Sequence, residues 1–159
     1  MDNTYLLLKS LHILGVIIFM GNIIVTAWWK TMADRTRDPV IIRFAQRQVT
    51  LTDYVFTAGG AALLLVGGIA NAALHDIDYL GVRWLAWGYW LFIMSGVIWA
   101  AVLIPVQIKQ ARLARQFTPG CVIPDRYWAL GRIWTGFGLL ATIIPLANIY
   151  WMVFKPGSA

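Results

Sequence analysis

The chain has 159 residues, of which 60% are hydrophobic and 13% charged, and its formal net charge is +6. Soluble domains average about 45–50% apolar and about 25% charged residues, so this composition excludes an ordinary water-soluble fold and indicates a membrane protein. Attraction to anionic headgroups accounts for the basic excess, and no nucleic-acid partner is needed to explain it.

Four apolar runs are long enough to cross a ~30 Å hydrocarbon core as helices: Tyr5–Trp29, Asp53–Leu74, Trp84–Gln107 and Leu130–Phe154. They show none of the strict alternation of a membrane barrel, and a spanning backbone must satisfy its own amides. The expected fold is therefore all-α, a four-helix bundle forming a single membrane domain over residues 1–159.

The first run, LHILGVIIFMGN and onward, places His12, Gly15, Phe19, Asn22 and Thr26 at alternating steps of three and four, which is one helical stripe. Its basic residues follow the apolar stretch and it ends in Trp28-Trp29-Lys30, so it is expected to be retained and not cleaved as a signal peptide. The connection after it carries Lys30, Arg35, Arg37, Arg43 and Arg47. Within it, Pro39–Val49 sets Val40, Ile41 and Phe44 on one side, as expected of a short helix lying on the membrane surface.

The second run repeats the pattern of the first, with Asp53, Thr57, Gly60, Leu64, Gly67, Asn71 and His75 on one stripe. The third run contributes Gly88, Ser95 and Gly96 and is expected to continue past the bilayer as IKQARLARQ, with Lys109, Arg112 and Arg115 on one side. Thr118-Pro119-Gly120 ends that helix, and Pro124-Asp125 starts the next with Asp125 as the expected N-cap. The fourth run adds Thr135, Gly138, Thr142, Pro145 and Asn148. Lipid offers no hydrogen bonds, so these polar and small residues are all expected to face the bundle interior. Cys121 is the one cysteine, so no intramolecular disulfide forms.

Ten of the 13 Lys and Arg residues lie on the two long connections or their rims, leaving Lys9, Arg83 and Lys155 at the opposite ends. The positive-inside rule then puts both connections in the cytoplasm and both termini on the outer, periplasmic side of a bacterial inner membrane. Aromatic belts agree: Trp28, Trp29, Tyr54, Tyr127, Trp128 and Trp134 at the inner rim, and Tyr5, Tyr79, Trp84, Trp87, Trp90, Tyr150 and Trp151 at the outer.

Depth points to a polar site in the outer half. His12 lies roughly 10 Å below the outer rim, with Asn71, Pro145 and Asn148 near its layer and His75 closer to the surface. Three readings of His12 stand together: an axial ligand of a b-type haem, a buried imidazole bonded to a neighbouring helix, and a proton- or quinone-handling group. Pairing His12 with His75 on one iron requires the second helix to run past Leu74 or the first to tilt. Single-histidine ligation, or ligation across a subunit interface, needs neither. Lys9 either holds a porphyrin propionate or snorkels to the headgroups. Asn22, Asn71 and Asn148 either line a pathway or bond between helices. Asp53 is expected to pair with Arg132, Lys30 or Arg47, or to cap a helix. Gly59, Gly60, Gly67 and Gly68 open space either for a flat cofactor or for close helix packing. No phosphate loop, zinc-ligand set, glycosidase acid pair, serine triad or inverted repeat is visible.

The segments LLLKSLHILGVIIFMGN, TDYVFTAGGAALLLVGG, GYWLFIMSGVIWAAVLIPVQIKQARLAR and WMVFKP together resemble a small bacterial four-span family catalogued as a predicted integral membrane protein, DUF2269-like. That resemblance implies the fold and no activity. The Lys-x-x-His of KSLH, followed by Gly15 and Gly21, is similar to the first helix of HemJ-type protoporphyrinogen oxidases and of CopD-like copper-resistance membrane proteins. For His12 the HemJ likeness implies haem association; beyond this helix the chain has IVTAWW at Ile24–Trp29 where those oxidases carry a Leu-Pro-Arg segment. The leading expectation is haem binding for electron transfer or porphyrin oxidation, an oxidoreductase role. The alternative is a non-enzymatic accessory or assembly subunit without a cofactor, self-associating or docked to a larger membrane complex.

Overall fold

A computed structural model describes residues 2–78 and 80–156. Tyr79, assigned above to the outer belt, lies outside the described residues. All regular structure among the described residues is helical: α1 (Asn3–Thr36), α2 (Pro39–Thr52), α3 (Gly59–Leu74), α4 (Arg83–Ile98), α5 (Ile104–Ala114) and α6 (Asp125–Phe154). A π-helical segment, Asp53–Ala58, joins α2 to α3, and a second, Trp99–Leu103, joins α4 to α5. The result is four long apolar helices, as expected, with both termini at the end opposite the arginine-rich connections.

Local chemistry fixes the boundaries. Asp2 caps α1 by accepting from the Thr4 amide, and α1 ends where Arg37 turns left-handed at φ 54°. Asp38 then accepts from the amides of Val40 and Ile41 at 2.7 and 3.1 Å, with Pro39 in the first turn, where its missing N–H costs nothing. No breaker follows until Gly59, so the helix runs on through Leu74 for 36 residues. The expected surface-lying helix at Pro39–Val49 is therefore corrected: α2 is the upright base of the second long helix. Its buried face is Ile42, Ala45, Gln46 and Val49, while Val40, Ile41 and Phe44 are exposed. The second π turn precedes Pro105, whose ring and missing N–H disturb regular α-helical bonding one turn back. Asp125 is the first residue of α6, not its cap; the flanking position is Pro124, and Asp125 serves the positive end of the helix dipole.

The four helices pair as two hairpins. Among the described residues α3 packs on α1 and on neither α4 nor α6, whereas α4 packs on α6. The hairpins join at the arginine-rich end, where α2 meets α5 and α1 meets α6. The 34 residues of α1 make about 51 Å of helix, roughly 20 Å more than the hydrocarbon needs. The surplus at this end builds a small layer outside the apolar spans, with Ile42, Ala114, Phe117 and Tyr127 at its core and Leu113, Cys121, Ile123 and Trp128 packed around them. Water drives burial here, which is why several of the least exposed side chains, Ile42, Val49, Tyr127 and Gln110, belong to this layer.

Candidate functional site

The stripes read on the first two runs face each other. Gly15 lies so close to α3 that a Cβ there would sit 2.5 Å from the Leu64 amide nitrogen. Next along this seam the imidazole of His12 lies against Gly68, where an added Cβ would sit 2.9 Å from Nδ1. His12 Nδ1 is 2.8 Å from the Leu64 carbonyl oxygen. A carbonyl only accepts, so Nδ1 carries the proton and Nε2 carries the lone pair in the neutral ring.

The other residues assigned to the outer-half site are not gathered around His12. His75 Nδ1 donates to the carbonyl of Asn71 in its own helix, 2.9 Å away, and its ring meets Tyr5 edge-on with centroids 5.2 Å apart. Tyr5 and His12 are seven residues apart, as are Gly68 and His75, so the two imidazoles sit about 10 Å apart along the seam. The structure does not bring them together on one atom. Lys9 places its ammonium 5.6 Å from the centre of the Tyr5 ring. Asn71 Oδ1 is buried without a partner. Asn148 faces α4, donating to the Gly88 carbonyl at 2.9 Å, and its own Oδ1 is also buried and unpartnered. Ser95 donates to the Ala141 carbonyl at 2.9 Å and holds the α4–α6 pair. Thr135 is exposed, and a Cβ on Gly96 or Gly138 would meet nothing, so those parts of the third and fourth stripes do not face inward as expected.

The denser polar site lies in the inner half. Asn22 Nδ2 donates to Thr57 Oγ1 at 2.9 Å, to the Thr52 carbonyl at 3.3 Å and to Asp53 Oδ1 at 3.4 Å. Thr57 donates to Asp53 Oδ1 at 3.0 Å, and Thr26 donates to Asn22 Oδ1 at 3.0 Å. Trp134 Nε1 reaches Gln107 Oε1 at 3.3 Å, and Gln107 borders the Asp53 carboxylate, so the network touches all four long helices. The expected pairing of Asp53 with Arg132, Lys30 or Arg47 is corrected: among the described residues no cation reaches it. The network sits at the π turn, where Asn22 Nδ2 also reaches the Thr52 carbonyl.

Below it, Lys30 is buried at 2% exposure, not free on the connection. Its Nζ donates to Asp34 at 2.9 Å and to the Tyr127 hydroxyl at 3.0 Å, and lies over the rings of Tyr127 and Trp134. Tyr127 in turn donates to Asp34 at 2.9 Å. Burial strips the ammonium of water, and the Asp34 carboxylate offsets that loss. Gln46 and Gln110 close the cluster, with Gln46 Nε2 and Gln110 Oε1 buried and unpartnered. The sequence does not show Lys30, Asp34, Gln46, Gln110 and Tyr127 as a group, because the first four fall on the connections and Tyr127 in the inner aromatic belt. The available signals were the Lys30–Asp34 spacing of four and the uncharged Gln46 and Gln110 set among arginines.

Two recesses of about 300 and 280 Å³ open on the membrane-facing surface, one by Ile17, Gly21, Asn22 and Phe56, the other by Arg132, Gly136 and Leu140. Neither includes His12. Among the described residues no three His, Cys, Asp or Glu side chains cluster at metal-binding distance. The model of a family described as "Predicted integral membrane protein (DUF2269)" matches residues 6–156. No curated protein and no solved structure matches the chain.

Proposed function

The chain belongs to that family of predicted integral membrane proteins, and we propose that it is a multi-pass bacterial inner-membrane protein that binds b-type haem through His12. One observation carries the reading. The Leu64 carbonyl fixes the His12 tautomer with Nδ1 protonated, leaving the Nε2 lone pair, among the described residues, without a hydrogen bond and able to ligate a metal. Ligating histidines are oriented in this way, the second nitrogen held by a carbonyl so that ring angle and basicity are set.

The donor set fits a haem held by one imidazole of this chain. His75 is turned to Asn71 and Tyr5, so His12 is the imidazole of this chain that would hold the group. A haem so ligated supplies one-electron redox chemistry, which suits electron transfer or porphyrin oxidation. The protein's own share is positional: the Gly15, Gly60 and Gly67 contacts lock α1 to α3, and Gly68 seats the ring. Lys9, one turn away at the outer end of α1, is the candidate partner for a propionate. The KSLH likeness to HemJ-type oxidases supports the same residue.

The visible spectrum of protein purified in detergent from haem-replete cells tests this. The expected result is a Soret band, shifted on reduction, that disappears in His12→Ala while elution and helicity persist. Colourless wild-type protein, or a band indifferent to His12, overturns the reading and favours an accessory subunit whose His12 only clamps α1 to α3.

A further inference from the structure

The surplus helix at the arginine-rich end leaves an apolar surface outside the bilayer. On α2, Val40, Ile41 and Phe44 are 47%, 44% and 65% exposed, one side of a helix whose other side is buried. Arg43 and Arg47 flank them, both exposed, with Arg43 also donating to the Phe117 carbonyl at 3.3 Å.

Height decides what can cover this stripe. The α1 helix and the Pro39–Leu74 run are antiparallel, with Gly60 beside Phe19 and Thr52 beside Thr26, while Gln46 and Asp34 meet at Tyr127. Phe44 is therefore level with Arg35, six residues and about 9 Å past Trp29 at the end of the apolar span, and Val40 is a further turn out. The headgroup layer is about 5–8 Å thick on each side, so the stripe stands beyond lipid. Three adjacent large apolar side chains kept in water on a rigid helix mark an interaction surface. A second copy docking through the same face would set Arg43 and Arg47 against their counterparts, and like charges across an interface oppose that.

We propose that the Val40–Ile41–Phe44 stripe docks a protein partner whose contact surface sets Asp and Glu side chains around an apolar centre. Arg43 and Arg47 supply the charge complementarity and Phe44, the most exposed of the three, the central anchor. The inference goes beyond haem binding and holds whether or not His12 carries a cofactor.

Photocrosslinking in native membranes tests it, using the full chain with p-benzoylphenylalanine in place of Phe44 and, as a control, in place of the lipid-facing Phe137. The expected product at position 44 is one adduct of discrete mass, absent at position 137, whose crosslinked peptide is rich in Asp and Glu. Its yield should fall by about tenfold or more in Arg47→Glu, because repulsion replaces attraction at the rim. It should fall likewise in the double variant Val40→Ser, Ile41→Ser, with the unfolding temperature unchanged in both since these side chains are exposed. Adducts with lipid or with a second copy of the chain, no adduct at all, or an adduct indifferent to the Arg47 charge each overturn the proposal.

Discussion

Gly68 gives up to His12 the space its own side chain would need: a Cβ on residue 68 would lie 2.9 Å from Nδ1 and 3.2 Å from Cε1 of the imidazole. Gly68→Ala must therefore push the ring off the Leu64 carbonyl, at a cost of about 1–3 kcal/mol for overpacking. Gly21→Ala is the control, since a Cβ there meets nothing within 4 Å. Unfolding in detergent should separate the two, with Gly68→Ala lowered and Gly21→Ala at or above wild type. Equal stabilities would mean that the seam is looser than described.

The Asn22–Thr57 bond is the shortest that Asn22 makes to the second long helix, at 2.9 Å. A double-mutant cycle with Asn22→Ala and Thr57→Val should return a coupling of about 0.6 kcal/mol and at most about 1.7 kcal/mol, the range found for hydrogen bonds within membranes. Zero coupling would place the two side chains apart.

Lys30 holds the inner layer through Asp34 and Tyr127. Lys30→Ala leaves Asp34 without its cation, and losing one member of such a pair costs about 3 kcal/mol; the Tyr127 hydroxyl and the 24% exposure of Asp34 pull the figure downward. Tyr127→Phe removes only hydrogen bonds and should cost about 1 kcal/mol. Thermal unfolding followed by circular dichroism gives the order, and Tyr127→Phe the more harmful would reverse the roles assigned to the cluster.

Cys121 is a built-in reporter of sidedness, being the one cysteine, partly exposed and on the connection at the arginine-rich end. A membrane-impermeant maleimide should label it in inverted vesicles and not in intact spheroplasts. The opposite pattern would invert the topology expected from the positive charges.

Much of the architecture was legible because lipid enforces simple rules. The stripe from His12 to Thr26 and the stripe from Asp53 to His75 are legible as interior-facing, and the structure sets them against each other, since glycines and polar groups have nowhere else to go. What escaped was where the bilayer stops. The apolar side of Pro39–Val49 predicts a helix lying on lipid, yet the helix stands upright and buries Ile42 and Val49 instead of Val40 and Phe44. The same boundary error hid the Lys30–Asp34–Tyr127 cluster, whose members are distant in sequence. Asp53 is expected beside a cation or as a helix cap; instead Asn22 from α1 and Thr57 from its own stripe donate to it. Asn148, expected near the His12 layer, bonds to Gly88 on α4, a partnership that counting residues along one helix does not supply.

Nitrogen-15 NMR of imidazole-labelled protein in lipid, with His75→Gln to isolate one ring, reads the His12 tautomer directly. The expected spectrum has Nδ1 protonated and hydrogen-bonded, and Nε2 bearing a lone pair or bound to iron. A proton on Nε2 with Nδ1 bare would mean that His12 does not donate to Leu64, and the imidazole would lose both its clamp across the seam and its preparation as a ligand.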